Sequence, residues 1–150
     1  MKTVNVEAHV SGLTPEQIYA TLCDFSTYAG VCSAVRSVTV ESEGVHQAIS
    51  TWEVNFQSGI LRWQERDEFF PHKLEIRFAQ IVGDIDEFSG TWRVSGAPGH
   101  VRINFDACFD LGIPMLADML DPIAESAIRH NIQEIIGSLF AANAVHVLAA

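Results

Sequence analysis

Glu65 and Asp67 stand two positions apart in a stretch, Ile60 to Phe69, where the residues suit a strand. In a strand, side chains at i and i+2 project from the same face. If that face is an apolar interior, neither charge is cheap to bury, and a raised pKa leaves one carboxyl protonated. A carboxylic acid held beside a carboxylate is suited to general acid–base work on a carbonyl or an enol. Asp67, with Glu65 beside it, is therefore the candidate catalytic pair. The competing arrangement is a splayed strand end at which both groups reach water.

Applied to the neighbouring stretches, the same parity puts Trp52, Trp63, Phe78, Gln80, Trp92 and Phe105 on one face with the two carboxylates. Val54, Phe56, Ile76, Phe88 and Ile103 share it. All three tryptophans are gathered there. Aromatic side chains dominate cores in any case, so this face reads equally as packing and as the wall of a ligand site. Gln80 and Asn131 are polar residues on otherwise apolar stripes. Each could orient a ligand oxygen or satisfy a buried backbone group.

Other chemistries have little support. Histidines 9, 46, 72, 100, 130 and 146 are scattered without metal-ligand spacing, and Cys23, Cys32 and Cys108 form no Cys-x-x-Cys pair. There is no glycine-rich phosphate loop or nucleophile elbow, and Ser50, Ser89 and Ser138 have no identifiable base. No metal and no cofactor are expected. A formal charge of −10 argues against a nucleic-acid partner, because phosphate backbones are bound through positive charge. No run approaches a membrane span, and the N-terminus lacks a signal-peptide pattern, so a cytoplasmic protein is expected.

The elements that position these residues follow from periodicity. Residues 2–10 alternate as a strand, and Gly12 breaks them. Thr14-Pro15-Glu16-Gln17 is a helix start with a capping box, followed by Ile18, Leu22 and Phe25 on one stripe and a further short turn of helix through Thr27-Tyr28. From residue 35 the period becomes two, with strands near 35–43, 46–57, 60–69, 73–82, 85–95 and 100–111. Short connections between them favour an antiparallel meander. Asp121-Pro122 reads as a second helix start, and Ile128, Ile132, Ile135, Leu139 and Ala142 predict one long helix over 122–147. The expected protein is one α+β domain over residues 1–150. Its seven-stranded antiparallel sheet wraps a long C-terminal helix, with two short helices after the first strand.

This order resembles the START-like (helix-grip) superfamily, within it the group that joins polyketide aromatase/cyclases with coenzyme Q-binding proteins. The resemblance is carried by Thr14-Pro15-Glu16-Gln17-Ile18-Tyr19, Asp24-Phe25-Ser26-Thr27-Tyr28, Trp63-Gln64-Glu65-Arg66 and Phe88-Ser89-Gly90-Thr91-Trp92-Arg93-Val94. It implies an apolar internal cavity, with Tyr28 where the family places an aromatic at the mouth. The family's aromatases use an inward arginine on the tryptophan-bearing strand, assisted in some members by a histidine and a helical aspartate. Those positions fall on Asp67, near Phe105 and near Ile135, so the triad does not carry over. Arg66 is one residue from the arginine position and, by parity, on the opposite face.

Three functions remain open, one of them a member whose cavity is vestigial and whose role lies in protein–protein contact; the other two use the cavity. One is a cyclase or dehydratase that folds a polyketide-like, carbonyl-bearing molecule and assists its cyclisation by acid–base catalysis. The other is a non-catalytic carrier of a quinone, isoprenoid or other lipid. The partner in either case is an apolar small molecule. An acyl carrier protein is possible but disfavoured by the acidic charge, with Arg62, Arg66 and Arg77 the only basic residues placed to meet it.

Overall fold

The computed structural model describes residues 1–148. Strand β1 (Lys2–Ser11) leads into α1 (Pro15–Cys23), a 3-10 turn (Phe25–Thr27) and α2 (Tyr28–Val31). Thr14 caps α1 with the expected reciprocal pair: its Oγ1 accepts the Gln17 N–H at 3.1 Å, and its own N–H donates to Gln17 Oε1 at 2.9 Å.

Six strands follow: β2 (Val35–Gly44), β3 (Gln47–Phe56), β4 (Gly59–Phe70), β5 (Glu75–Gly83), β6 (Glu87–Ala97) and β7 (His100–Asp110). Each pairs antiparallel with the next, and β1 closes onto β7. The long helix α3 (Ala117–Leu139) then lies over the sheet, and a last strand, β8 (Val145–Leu148), pairs with β1. The sheet is thus eight-stranded, in the order β2-β3-β4-β5-β6-β7-β1-β8.

The C-terminal region corrects the expected helix at both ends. It begins five residues early, so Pro122 lies inside α3 and the bond its N–H would have given to the Asp118 carbonyl is missing. It stops at Leu139, not 147. After a turn, Val145 and Val147 join β1 opposite Val10 and Ala8. The physical reason is that β1 would otherwise leave a row of backbone donors and acceptors bare along one edge. Ala142, expected on the helical stripe, lies in that turn.

Ile128, Ile132, Ile135 and Ile136 of α3 are buried against the sheet's inner face. Opposite them lie Trp52, Trp92, Ile103 and Phe105, all buried, so the parity read from the sequence describes the real inner face. No helix of the described residues is long and apolar enough to cross a membrane.

Candidate functional site

Register brings the site together. Between β3 and β4, Trp52 pairs with Trp63, Ser50 with Glu65, and Ala48 with Asp67. The Trp52 and Trp63 rings are nearly parallel, 5° apart with centroids at 5.8 Å. Phe88 meets Trp63 edge-on at 5.5 Å, and Phe105 lies 4.7 Å from Trp92 and 5.9 Å from Phe78. Phe25 and Tyr28, from the turns after α1, close the other side against Trp52 at 5.3 and 5.5 Å. These rings, with Ile132 and Ile135, enclose a cavity of about 60 Å³. That is room for a few water molecules, so a ring-sized ligand must push side chains apart to bind.

Glu65 is on this wall. Its Oε1 accepts the Trp63 indole N–H at 2.7 Å. Behind it, Trp52 Nε1 donates to Ser50 Oγ at 2.8 Å, and Ser50 donates to Asp67 Oδ2 at 2.6 Å. Ser50 and Asp67 are completely buried and Glu65 is 4% exposed. Asp67 Oδ1 is buried without a donor from any neutral or basic group. A carboxylate left so would be costly. A proton on Glu65, donated to Asp67, removes the deficit.

The electrostatics agree. Burial pushes Glu65 well above its usual range, and the adjoining Asp67 carboxyl pushes it further. Burial raises Asp67 too, while hydrogen bonds from Glu65 and Ser50 work against that rise. The pair titrates as a unit, with Glu65 the group that keeps its proton to higher pH.

The other expected residues divide. Trp52, Trp63, Phe78, Trp92, Phe105 and Tyr28 surround the cavity. Tyr28 presents only its ring, because its hydroxyl donates to the Leu22 carbonyl at 2.6 Å. Asp67 stands behind Glu65 and does not reach the wall, so the cavity-facing acid is Glu65, the reverse of the expected order. Gln80 is not on the wall either. Its Nε2 donates to the Ile85 carbonyl at 2.8 Å and so ties the β5–β6 turn. Asn131 Nδ2 donates to the Asn55 carbonyl at 2.7 Å, beside the cavity and not in it. Arg66 points outward, half-exposed, 3.9 Å from Glu43.

Sequence reasoning missed Ser50 and Phe25 as site residues, and put Phe88 on the inner face without naming it as a ligand contact. No base for Ser50 is visible in the sequence, yet Asp67 accepts its proton. The signal lies in the two-residue spacing from Trp52, which puts Ser50 on the inner face.

Residues 11–136 match the family model described as polyketide cyclase / dehydrase and lipid transport. The chain belongs to that family. Among solved structures, a protein of Thermus thermophilus is similar at 22% identity and TM-score 0.85, over 93% of this chain and 95% of that one. The Zhui aromatase/cyclase from a Streptomyces species is similar at 16% identity and TM-score 0.78, over 94% and 93%. A START superfamily protein from Mycobacterium smegmatis follows at 13% identity and TM-score 0.77, over 93% and 97%. At such identities the likeness is one of fold. Comparison of the sequence with curated proteins gave no match.

Proposed function

We propose that this family member is a cyclase acting on a carbonyl-rich, polyketide-like molecule, with Glu65 as its general acid and Asp67 as the positioning partner of Glu65. The observation that carries this is a carboxyl on the wall of an aromatic cavity, hydrogen-bonded to the Trp63 indole and pushed toward its protonated form by burial and by the carboxyl behind it. A pure carrier has no need of such a group.

The chemistry is an intramolecular aldol closure. The enol carbon of one unit attacks the carbonyl carbon of another, and the carbonyl oxygen takes the Glu65 proton as the carbon–carbon bond forms. The enol hydroxyl returns its proton to the Glu65–Asp67 pair, which ends as it began. The same acid can protonate the new hydroxyl, which leaves as water while the carboxylate so formed takes a proton from the neighbouring α-carbon; a carbon–carbon double bond forms and the pair regains its proton. The flat walls of Trp52, Trp63 and Phe88 favour the folded, planar form of the chain, which brings the reacting carbons together.

Here a carboxylic acid pair stands where the family's aromatases hold an arginine. An arginine stabilises developing enolate charge by its fixed charge, whereas Glu65 can give the proton away. The test is cyclisation of 2,4,6-heptanetrione followed by chromatography with the native protein, Glu65→Gln and Asp67→Asn. Loss of about 10²–10⁴-fold in rate for Glu65→Gln supports the acid role. Equal turnover by native protein and Glu65→Gln removes it.

A carrier of a quinone or isoprenoid is the second reading. It is favoured by the hydrocarbon character of the remaining wall, where the indole N–H groups of Trp52 and Trp63 are already hydrogen-bonded. Binding without turnover in any variant selects it.

A further inference from the structure

Beside the aromatic cavity lies a second internal space of about 40 Å³, and the two share Val54, Trp63, Phe88, Ile132 and Ile135 as walls. On its far side this space shares Ala34 and Asn131 with an open surface cleft of about 520 Å³. Shared wall residues thus link the surface cleft, the second space and the cavity that Glu65 borders. Among the described residues, none of the β7–α3 connection borders either internal space. At the inner end Glu65 borders the cavity, with the Ser50–Asp67 pair behind it.

The cleft differs in chemistry from what it leads to. Asn55, Gln57, Ser126, His130 and Glu134 line it, and no lysine or arginine among the described residues does. Asn131 stands at the junction, its side chain bonded across to the Asn55 carbonyl from α3 to β3. The Ser33 hydroxyl also donates to Glu134 of the helix, and the Asn131 bond joins the helix to the hairpin where the cleft and the second space share a wall. Breaking it costs little if an incoming ligand supplies a replacement acceptor. Gln57, at the tip of the hairpin, holds φ at +56°, a left-handed conformation that non-glycine residues rarely adopt and that recurs at binding loops.

We propose that this cleft is the way into the cavity and also a second binding subsite, taking the uncharged, hydrogen-bonding end of an amphipathic ligand whose rigid apolar end lies among the tryptophans. The proposal rests on the reading that the aromatic cavity binds the ligand, and it adds what the rest of that ligand is. Asn55, Gln57, Ser126 and Asn131 offer neutral donors and acceptors to hydroxyl, ether or amide groups. An anionic tail meets the Glu134 carboxylate instead. Arg36, which does not line the cleft, donates to Asn55 Oδ1 at 3.4 Å, but its Nε is bound to Glu53, which also holds Arg62. The substrate therefore arrives as a free molecule. A thioester on a phosphate-bearing carrier arm would place its negative charge beside Glu134.

Three probes with one naphthalene body test this: 2-naphthol, its diethylene glycol ether with a free hydroxyl, and the phosphate ester of that ether. Their binding is read by stopped-flow quenching of Trp52 and Trp63. The neutral ether should bind about three- to tenfold more tightly than 2-naphthol, the gain from one or two neutral hydrogen bonds, and the phosphate should lose that gain. Ser126→Phe, at an exposed wall position, should slow association of every probe by about tenfold, and Asn131→Ala should speed it. Met119→Phe, on the exposed start of α3, should leave both rates as they are. Probes that bind with rates indifferent to Ser126→Phe, or a phosphate that binds as tightly as the neutral ether, would overturn the cleft while leaving the cavity reading intact. No quenching by any probe would overturn both.

Discussion

Ser50 donates its hydroxyl hydrogen to Asp67 across the β3–β4 ladder at 2.6 Å, and Asp67 keeps one buried oxygen without a partner, which a protonated Glu65 beside it can satisfy. Ser50 is in turn the acceptor for Trp52, so the chain of bonds runs from the cavity wall inward and back out to Glu65. This arrangement turns two adjacent carboxyls from a burial problem into an acid–base pair.

Stability should depend on pH through Glu65. Its folded pKa is raised above the ordinary 4.5, so above that pH the folded protein holds a proton that the unfolded chain releases. Stability therefore falls as pH rises, by about 1.4 kcal/mol per pH unit, until pH passes the folded pKa. Asp67 contributes with the same sign. Glu65→Gln keeps a donor to Asp67 and cannot ionise. Its urea-unfolding free energy relative to the native protein should climb steadily from about pH 5 to about pH 7. A constant difference across that range contradicts a raised Glu65.

Ser50→Ala removes the donor to Asp67 and the acceptor for Trp52 in one step. The loss should be about 1–3 kcal/mol of stability in denaturant titration, the cost of stranding a buried polar group. Ser50→Thr keeps the hydroxyl and should recover most of it. A neutral Ser50→Ala would mean that water replaces the serine.

How much of this is legible in the sequence differs by region. From residue 47 to 110 the strands β3, β4, β6 and β7 and the first half of β5 bury one face, so alternation alone puts Trp52, Trp63, Asp67 and Phe105 on the inner side, whereas β2 is largely exposed beyond Val35; the turns are marked by Glu43-Gly44 and Gly96-Ala97-Pro98-Gly99. Which of two inward carboxyls reaches the cavity is a matter of depth along the strand, and parity carries no depth. Parity therefore cannot rank Asp67 against Glu65. Gln80 and Asn131 share a limitation of the same kind: the stripe shows where a side chain points, and only tertiary neighbours decide that a backbone carbonyl captures it. The end of the long helix escapes sequence reasoning because Val145-His146-Val147-Leu148 is short, and its partner β1 lies at the other end of the sequence.

Pro122 offers a check on the fold itself. It lies within the second turn of α3, where an interior proline removes one helical hydrogen bond. Pro122→Ala should restore that bond and stabilise the protein by about 1 kcal/mol or more in thermal unfolding. A destabilised variant would instead favour a helix that starts at Pro122, where proline is an asset.

The proposed mechanism depends most on the protonation of Glu65 at neutral pH, and carbon-13 NMR on protein labelled at the glutamate side-chain carboxyls measures it directly. The resonance absent from Glu65→Gln identifies the residue. At neutral pH it should have the shift of a protonated acid and should move toward the carboxylate position only as pH is raised further, with Asp67→Asn lowering the pH at which it does so. A Glu65 signal already at the carboxylate position at neutral pH, titrating near the ordinary 4.5, would contradict a Glu65 general acid.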